Sequence, residues 1–457
     1  MISVARLIST MRHWFRDGVL RRIFKNAGLM LSGRATTGLL SLASLTLSAR
    51  SLGVEQFGIL VLVQTYGQVI ATLSTLQSPQ AVIRYGAISL QENDTPGLQH
   101  LLKYVTLLDV AGGVLGVIVG FLVAPFVGPY LGWSQDVVDY AQLYSFLVFF
   151  TVCATPTGIL RLFDRFDLLA AQTTLIPFLR LVGIGLAVLL KAPLWAYLLA
   201  WFVAQMIGGG VLTYLGWREL YRHKKLSGFE FSMKPRGLPH PGLLHFIVTS
   251  NLYSSLLILT GHASTFAIGY LTGPAQAGLY KLARDLGTVL TKPAELLNQS
   301  IYAEFARLGS RNAWHEFTQL MRRGAAITAG AGAAMLMLVA IGGPLFLRTF
   351  FGHDFEDAYV PLVLLVFGGG LAIMSFPVDA ALFALGRPEI PLRVSAVVVF
   401  AIQLPLLFLL TSAYGAAGAA TAVVAGAAGT LGGMWIFTVV QLRRRTAQSP
   451  EPSPPQM

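Results

Sequence analysis

The sequence predicts an all-helical integral membrane protein with about 12 transmembrane helices, arranged as two six-helix lobes around a central cavity. Three observations carry that prediction. Charged residues make up 12% of the 457 and hydrophobic ones 54%, with a mean hydropathy of +0.65, whereas ordinary soluble domains carry about 25% charge. Apolar runs long enough to cross a hydrocarbon core of about 30 Å recur along the chain. Lys and Arg are abundant in every second connection between those runs and scarce in the others, the signature of a multi-span chain.

Residues 1–26 carry Arg6, Arg12, Arg16, Arg21, Arg22 and Lys25, with Val4, Leu7, Ile8, Met11, Trp14, Phe15, Val19 and Ile23 recurring at three- and four-residue spacing between them. This reads as a basic amphipathic helix lying in the membrane interface. A cleaved signal peptide fits poorly, because the apolar run that follows is longer than the roughly 7 to 15 residues of a signal core. Twelve spans are expected near 27–49, 57–80, 101–127, 140–163, 172–191, 194–217, 243–269, 276–302, 324–347, 360–385, 392–413 and 415–440.

An even number of spans places both termini on one side. Of the 33 Lys and Arg, 25 fall in the tails and the even-numbered connections, against Arg50, Lys191 and Arg348 in the odd-numbered ones. Basic loops stay in the cytoplasm, so both termini are expected there. The domain order is then the N-terminal helix 1–26, an N-lobe at 27–217, a basic cytoplasmic linker at 218–242 with Pro235, Pro239 and Pro241, and a C-lobe at 243–440. A Pro- and Ser-rich tail, 441–457, is expected to be disordered and cytoplasmic.

Several function classes drop out. The net charge of +12 follows from cytoplasmic loops and anionic headgroups of the membrane lipids, so no nucleic-acid partner is expected. Cys153 is the single cysteine, which leaves neither a disulfide framework nor a cysteine metal site within one chain. There is no G-x-x-x-x-G-K-[ST] phosphate loop and no H-E-x-x-H pair, so neither an ATPase nor a zinc enzyme is expected, and no cofactor.

Charges inside spans are the functional candidates. Arg34 is the one charge between Ala27 and Ala49, and an arginine at mid-span costs roughly 2.5 to 3.5 kcal/mol on insertion scales, which is tolerated where it meets a partner or a wet cavity. Arg84 stands at the expected cytoplasmic end of span 2. Lys281, Arg284 and Lys292 occupy span 8, and at 100° per residue all three fall within about 80° of one another, on one helix face. Asp109 and Asp379 are the acidic counterparts, suited either to pairing with Arg34 or to carrying H+ or Na+. Arg180 reads as a packing charge.

The halves echo each other. Arg50-Ser-Leu-Gly-Val-Glu-Gln-Phe-Gly58 after span 1 corresponds to Tyr270-Leu-Thr-Gly-Pro-Ala-Gln-Ala-Gly278 after span 7, at an offset of 220 residues. Repeats six helices apart share one orientation and are related by an axis along the membrane normal.

With Asn26…Gly33, Val82-Ile-Arg84-Tyr85-Gly-Ala and Gly278-Leu-Tyr280-Lys-Leu-Ala283, these motifs resemble the polysaccharide biosynthesis (O-antigen flippase) family of the multidrug, oligosaccharidyl-lipid and polysaccharide exporter superfamily. The resemblance implies an inner-membrane flippase that moves undecaprenyl-pyrophosphate-linked oligosaccharide by alternating access, alongside a polysaccharide polymerase and a chain-length regulator. Arg34, Arg84, Lys281, Arg284 and Lys292 suit that cargo, because guanidinium and ammonium groups hold a pyrophosphate through charge-assisted hydrogen bonds. Where the family often places an acidic residue near the outer end of span 7, this chain reads Thr260-Gly261-His262-Ala263, so ion coupling through that position does not carry over. Two alternatives stand beside the flippase. A multidrug-type exporter of organic cations would favour an acidic cavity, and a membrane polysaccharide polymerase would need a large outer loop that the spacing of spans does not provide.

Overall fold

The computed structural model describes residues 18–75, 78–152, 154–226, 243, 261–310, 314–384 and 389–448, and among them there is no strand. The helices are α1 (Gly18–Ser74), α2 (Ser78–Gln91), α3 (Thr95–Tyr130), α4 (Gln135–Tyr144), α5 (Leu147–Val152), α6 (Thr155–Leu162), α7 (Phe166–Leu189) and α8 (Leu194–Arg222). They continue with α9 (261–272), α10 (Pro274–Ser310), α11 (Trp314–Phe350), α12 (Tyr359–Ala384), α13 (Glu389–Val398), a π-helical turn at Val399–Gln403, and α14 (Leu404–Gln448). Residues 1–17 of the amphipathic segment, 227–242 of the linker, 244–260 of expected span 7 and 449–457 of the tail lie outside the described residues.

Eight helical stretches among the described residues are long and apolar enough to cross a membrane. Two of them, Thr36–Gln91 with 56 residues and Ile390–Gln441 with 52, are each long enough for two crossings at a 1.5 Å rise. Both are interrupted by a glycine outside helical space: Gly53 (φ 72, ψ 172) breaks α1 and Gly415 (φ 56, ψ −134) breaks α14. The exterior is apolar, with Leu189 at 80%, Ile341 at 77% and Phe126 at 73% exposure, as a hydrocarbon solvent requires. The helix expected as span 8 is continuous over the 37 residues of α10, and its charges keep it out of that apolar set.

Proline sets where many of these helices begin. Ser78-Pro79, Thr95-Pro96 and Thr155-Pro156 open α2, α3 and α6, and Pro274 opens α10, because the missing N–H of proline is harmless in a first turn and blocks a preceding one. At α3 the Asp94 carboxylate also accepts the Gly97 N–H at 2.9 Å, a side-chain cap.

Three expectations change as a result. Span 2, expected to 80, ends at Ser74, and Arg84 sits on the separate helix α2. Span 4, expected as one helix over 140–163, consists of α4, α5 and α6, with turns at Ser145–Phe146 and at Ala154. The tail, expected from 441, is helical to Gln448, since Leu442-Arg-Arg-Arg-Thr-Ala-Gln448 contains neither Gly nor Pro to stop α14.

The chain divides into two compact units, one comprising Met1–Ser51 and Val63–His262, the other Leu52–Leu62 and Ala263–Met457. In the first, Ala81, Val82 and Tyr85 of α2 pack with Leu98, Leu101, Leu102 and Val105 of α3, Ile159 of α6, Leu220 of α8, and Leu243. In the second, α12 packs against α10, α11 and α14. It is apolar around nearly its whole circumference, as the central helix of a bundle must be. Leu52–Leu62 belongs to this second unit through Phe57, whose buried ring meets Phe355 edge-on at 5.7 Å.

Candidate functional site

One buried charge of the first unit, Asp109, lies where expected span 4 is broken. Asp109 of α3 is 1% exposed, as are Ser78 and Thr155, the first residues of α2 and α6. Its Oδ2 accepts hydrogen bonds from Thr155 Oγ1 at 2.6 Å, the Thr155 backbone N–H at 2.8 Å and Ser78 Oγ at 3.1 Å. Two helix N-termini, with their partial positive charge, therefore converge on one carboxylate. Asp109 Oδ1 is buried and has no hydrogen-bond partner.

Among the described residues neither Asp109 nor Asp379 forms an ion pair, and the side chain of Arg34, the partner expected for them, falls outside those residues. Asp109 has hydroxyl and amide donors instead, which hold a carboxylate without a counter-charge. In the second unit Asp379 lies on α12, two residues after Pro377, with its Oδ1 buried and unpartnered.

Arg180 of α7 stacks its guanidinium 3.5 Å from the ring centroid of Trp201 on α8, the packing use expected of it. Arg84 is exposed on α2, 5.4 Å from the ring centroid of Tyr85.

In the second unit Lys281 and Arg284 are half-buried on α10. Lys281 Nζ reaches both oxygens of Asp285 at 2.5 and 2.6 Å, one helical turn on. The backbones of Arg34 and Lys292 lie in α1 and α10, and their side chains fall outside the described residues. Of the five expected cationic residues, Arg34 and Arg84 belong to the first unit and Lys281, Arg284 and Lys292 to the second.

The echoed motifs meet within the second unit. Gly53 and Gly273, 220 residues apart, both have positive φ, 72° and 87°. Five residues further on, the Gly58 Cα lies 3.0 Å from where a Cβ on Gly278 would stand. Gln276 of the second copy accepts the Ala416 N–H at 3.1 Å, satisfying an amide just after the break in α14.

One cluster went unforeseen. Arg165, in the turn between α6 and α7, bonds Asp167 at 2.9 Å and Glu219 of α8 at 2.8 Å. Hydrogen bonds to Asp167, reinforced by Glu219, push the Arg165 guanidinium above its ordinary range. Nearby, Lys225 Nζ donates to Thr95 Oγ1 and its carbonyl accepts from Gln99, tying the end of α8 to the start of α3. The signal in sequence was Glu219, an acidic residue between Arg218 and Arg222. Thr155 was legible as well, since Thr-Pro inside an apolar run marks a helix start.

Apolar exteriors, broken membrane helices and charges held inside the bundles define a multi-span membrane protein. The chain belongs to the polysaccharide biosynthesis protein family, which its residues 23–302 match. Inner membrane protein YghQ of Escherichia coli (strain K12) is 30% identical over 350 residues, which is 76% of this chain and 98% of that protein. The fold is shared with an inward-facing multidrug resistance MATE family transporter of the MOP superfamily, at TM-score 0.68 and 16% identity over 93% of this chain and 96% of that one. It is shared too with the lipid II flippase MurJ in an inward closed conformation, at TM-score 0.66 and 13% identity over 93% and 94%.

Proposed function

We propose that this protein is a flippase that carries undecaprenyl-pyrophosphate-linked oligosaccharide repeat units across the bacterial inner membrane for assembly of lipopolysaccharide, O-antigen or exopolysaccharide. The observation that carries the reading is the set of cations Arg34, Lys281, Arg284 and Lys292 on α1 and α10 of a polysaccharide biosynthesis protein. A pyrophosphate concentrates negative charge that must cross a low-dielectric core, and such groups hold it through charge-assisted hydrogen bonds. Both termini lie in the cytoplasm, where the basic connections remain. The fold shared with a lipid II flippase and the inner-membrane relative support the assignment.

Transport runs by alternating access, driven by an H+ or Na+ gradient, and delivers repeat units to a polymerase and its chain-length regulator. Arg34 and the α10 cations grip the pyrophosphate while the sugars follow it. The test is deletion of the gene in its host, extraction of undecaprenyl-linked intermediates, and their assignment to a leaflet. Complete single repeats trapped on the cytoplasmic side, with surface polysaccharide lost, is the expected result. Unpolymerised repeats in the outer leaflet would instead make the protein a polymerase. Normal polysaccharide would make it a small-molecule exporter.

A further inference from the structure

The junction around Asp109 does more than fasten helices. Three neutral donors converge on Oδ2, while Oδ1 of the same 1% exposed carboxyl has no partner. A side chain kept only as a permanent anion would leave a buried, unsolvated oxygen, which is costly in a low-dielectric interior. A side chain kept only as a neutral acid would not need three donors and two helix N-termini aimed at it. The arrangement serves both charge states.

The charged and titratable groups on the neighbouring helices stand away from the carboxyl. Arg84 on α2, Lys103 on α3 and Arg161 on α6 each lie six residues from the residue of their own helix at the junction, Ser78, Asp109 and Thr155 respectively, or about 9 Å along the axis. His100, Tyr104 and Tyr130 on α3 and Tyr85 on α2 are the other titratable groups of these helices; α5 carries none, and α4, which also packs on α3, carries Asp136, Asp139, Tyr140 and Tyr144. Among the described residues the polar neighbours of Asp109 are neutral groups: the hydroxyls of Ser78 and Thr155 and the backbone of Thr155 and Ala154.

We propose that Asp109 is a proton-binding site of the N-terminal unit, with Oδ1 as the protonated atom and the start of α6 as the element it controls. A proton from water adds to Oδ1, no other covalent bond changes, and the side chain goes from −1 to neutral. Oδ2 then passes from carboxylate to carbonyl oxygen, and its three bonds lose the charge assistance that makes such bonds roughly twice as strong as neutral ones. Protonation thereby loosens the grip of α3 on the first turns of α2 and α6, and deprotonation restores it. The proton site holds whatever the cargo is; its use as the coupling ion rests on the flippase reading.

The test uses the full-length protein in lipid nanodiscs and infrared difference spectra between acidic and neutral pH, where a protonated carboxylic acid shows its own carbonyl band. The wild type is expected to show a titrating band that Asp109→Asn removes and Asp379→Asn retains. Thr155→Val takes away one donor to the charged form while keeping side-chain shape, so it moves the midpoint to higher pH; this variant also serves if Asp109→Asn does not fold. A band that survives Asp109→Asn, the absence of any titrating band, or an unmoved midpoint in Thr155→Val would overturn the proposal. Because the band needs no substrate, its loss or persistence is independent of the leaflet assay, and failure of the flippase reading would leave it in place.

Discussion

Gly58 and Gly278 stand at the same position of two copies of one motif, and within the second unit they are packed backbone to backbone. A Cβ built on Gly58 would run into the Pro274 carbonyl, whereas one on Gly278 would stand 3.0 Å from the Gly58 Cα and 3.2 Å from the Phe57 ring. The first obstacle is main chain that opens α10; the second is partly a side chain that can give. Gly58→Ala is therefore expected to destabilise the protein by about 1 to 3 kcal/mol, the usual range for overpacking, and Gly278→Ala by less. Thermal unfolding of the purified variants, followed by loss of the monodisperse chromatographic peak, would check the order.

The break in α14 depends on one side chain. Gln276 accepts the Ala416 N–H at 3.1 Å, next to Gly415, where the helical ladder is interrupted. Gln276→Leu keeps the bulk and leaves that amide unpaired at a partly buried site, a loss of about 1 to 3 kcal/mol. Gln276→Glu, which still accepts, should stay closer to wild type in the same melting experiment.

Much of this was legible in sequence because the bilayer imposes a simple rule. Apolar length and the alternation of Lys and Arg identify membrane helices without reference to packing, and the echoed motif at Gly58 and Gly278 marked the two stretches whose Gly53 and Gly273 share a positive φ. The interruptions were harder, since Ser145 and Phe146 carry no breaker of their own and the turn there depends on what surrounds it. The partners of the charges were harder still. Hydropathy marked Asp109 as a buried acid, but Ser78 and Thr155 lie 31 positions before it and 46 after it, and no local spacing links the three. Lys281 and Asp285 form an i, i+4 pair, the spacing at which helix geometry brings two side chains together.

The Arg165 cluster separates a buried partner from an exposed one. The Glu219 side chain is 5% exposed and that of Asp167 is 49% exposed. Exposed pairs contribute about 0 to 1 kcal/mol, so Asp167→Asn is expected to be nearly silent. Glu219→Leu removes the acceptor that joins the turn before α7 to the end of α8. A cost of about 2 kcal/mol is expected, below the roughly 3 to 5 kcal/mol of a fully buried pair because Arg165 keeps Asp167. Parallel denaturation of the two variants would show whether the ranking holds.

Arg180 and Trp201 test the packing reading of a charge at mid-span. A guanidinium 3.5 Å from the ring centroid is worth about 2 kcal/mol or more when desolvated, and tryptophan is the strongest partner ring. Trp201→Leu should lower thermal stability without abolishing insertion. Trp201→Phe should recover a part, because the smaller ring still presents a π-face. Equal stability of the leucine variant and wild type would remove the stacking from the account.

The cations of α10 are expected to differ in their effect on transport, because a lysine and an arginine hold an anion differently. Lys281 Nζ sits at 2.5 and 2.6 Å from the two Asp285 oxygens, so much of its charge is neutralised at short range, while the bond to a pyrophosphate would have to compete with that carboxylate. Arg284 lies 60° from Lys281 around the helix and offers a planar fork suited to two phosphate oxygens at once. Arg284→Ala should therefore lower flipping more than Lys281→Ala does, and Arg284→Lys should recover only a part because a point charge cannot reproduce the fork. Asp285→Asn releases Lys281 and should bring the effect of Lys281→Ala, measured in that background, up toward that of Arg284→Ala. Leaflet assignment of undecaprenyl-linked repeats in cells carrying each variant at matched membrane levels would check the series, and a greater loss from Lys281→Ala than from Arg284→Ala would place the anion on the lysine instead.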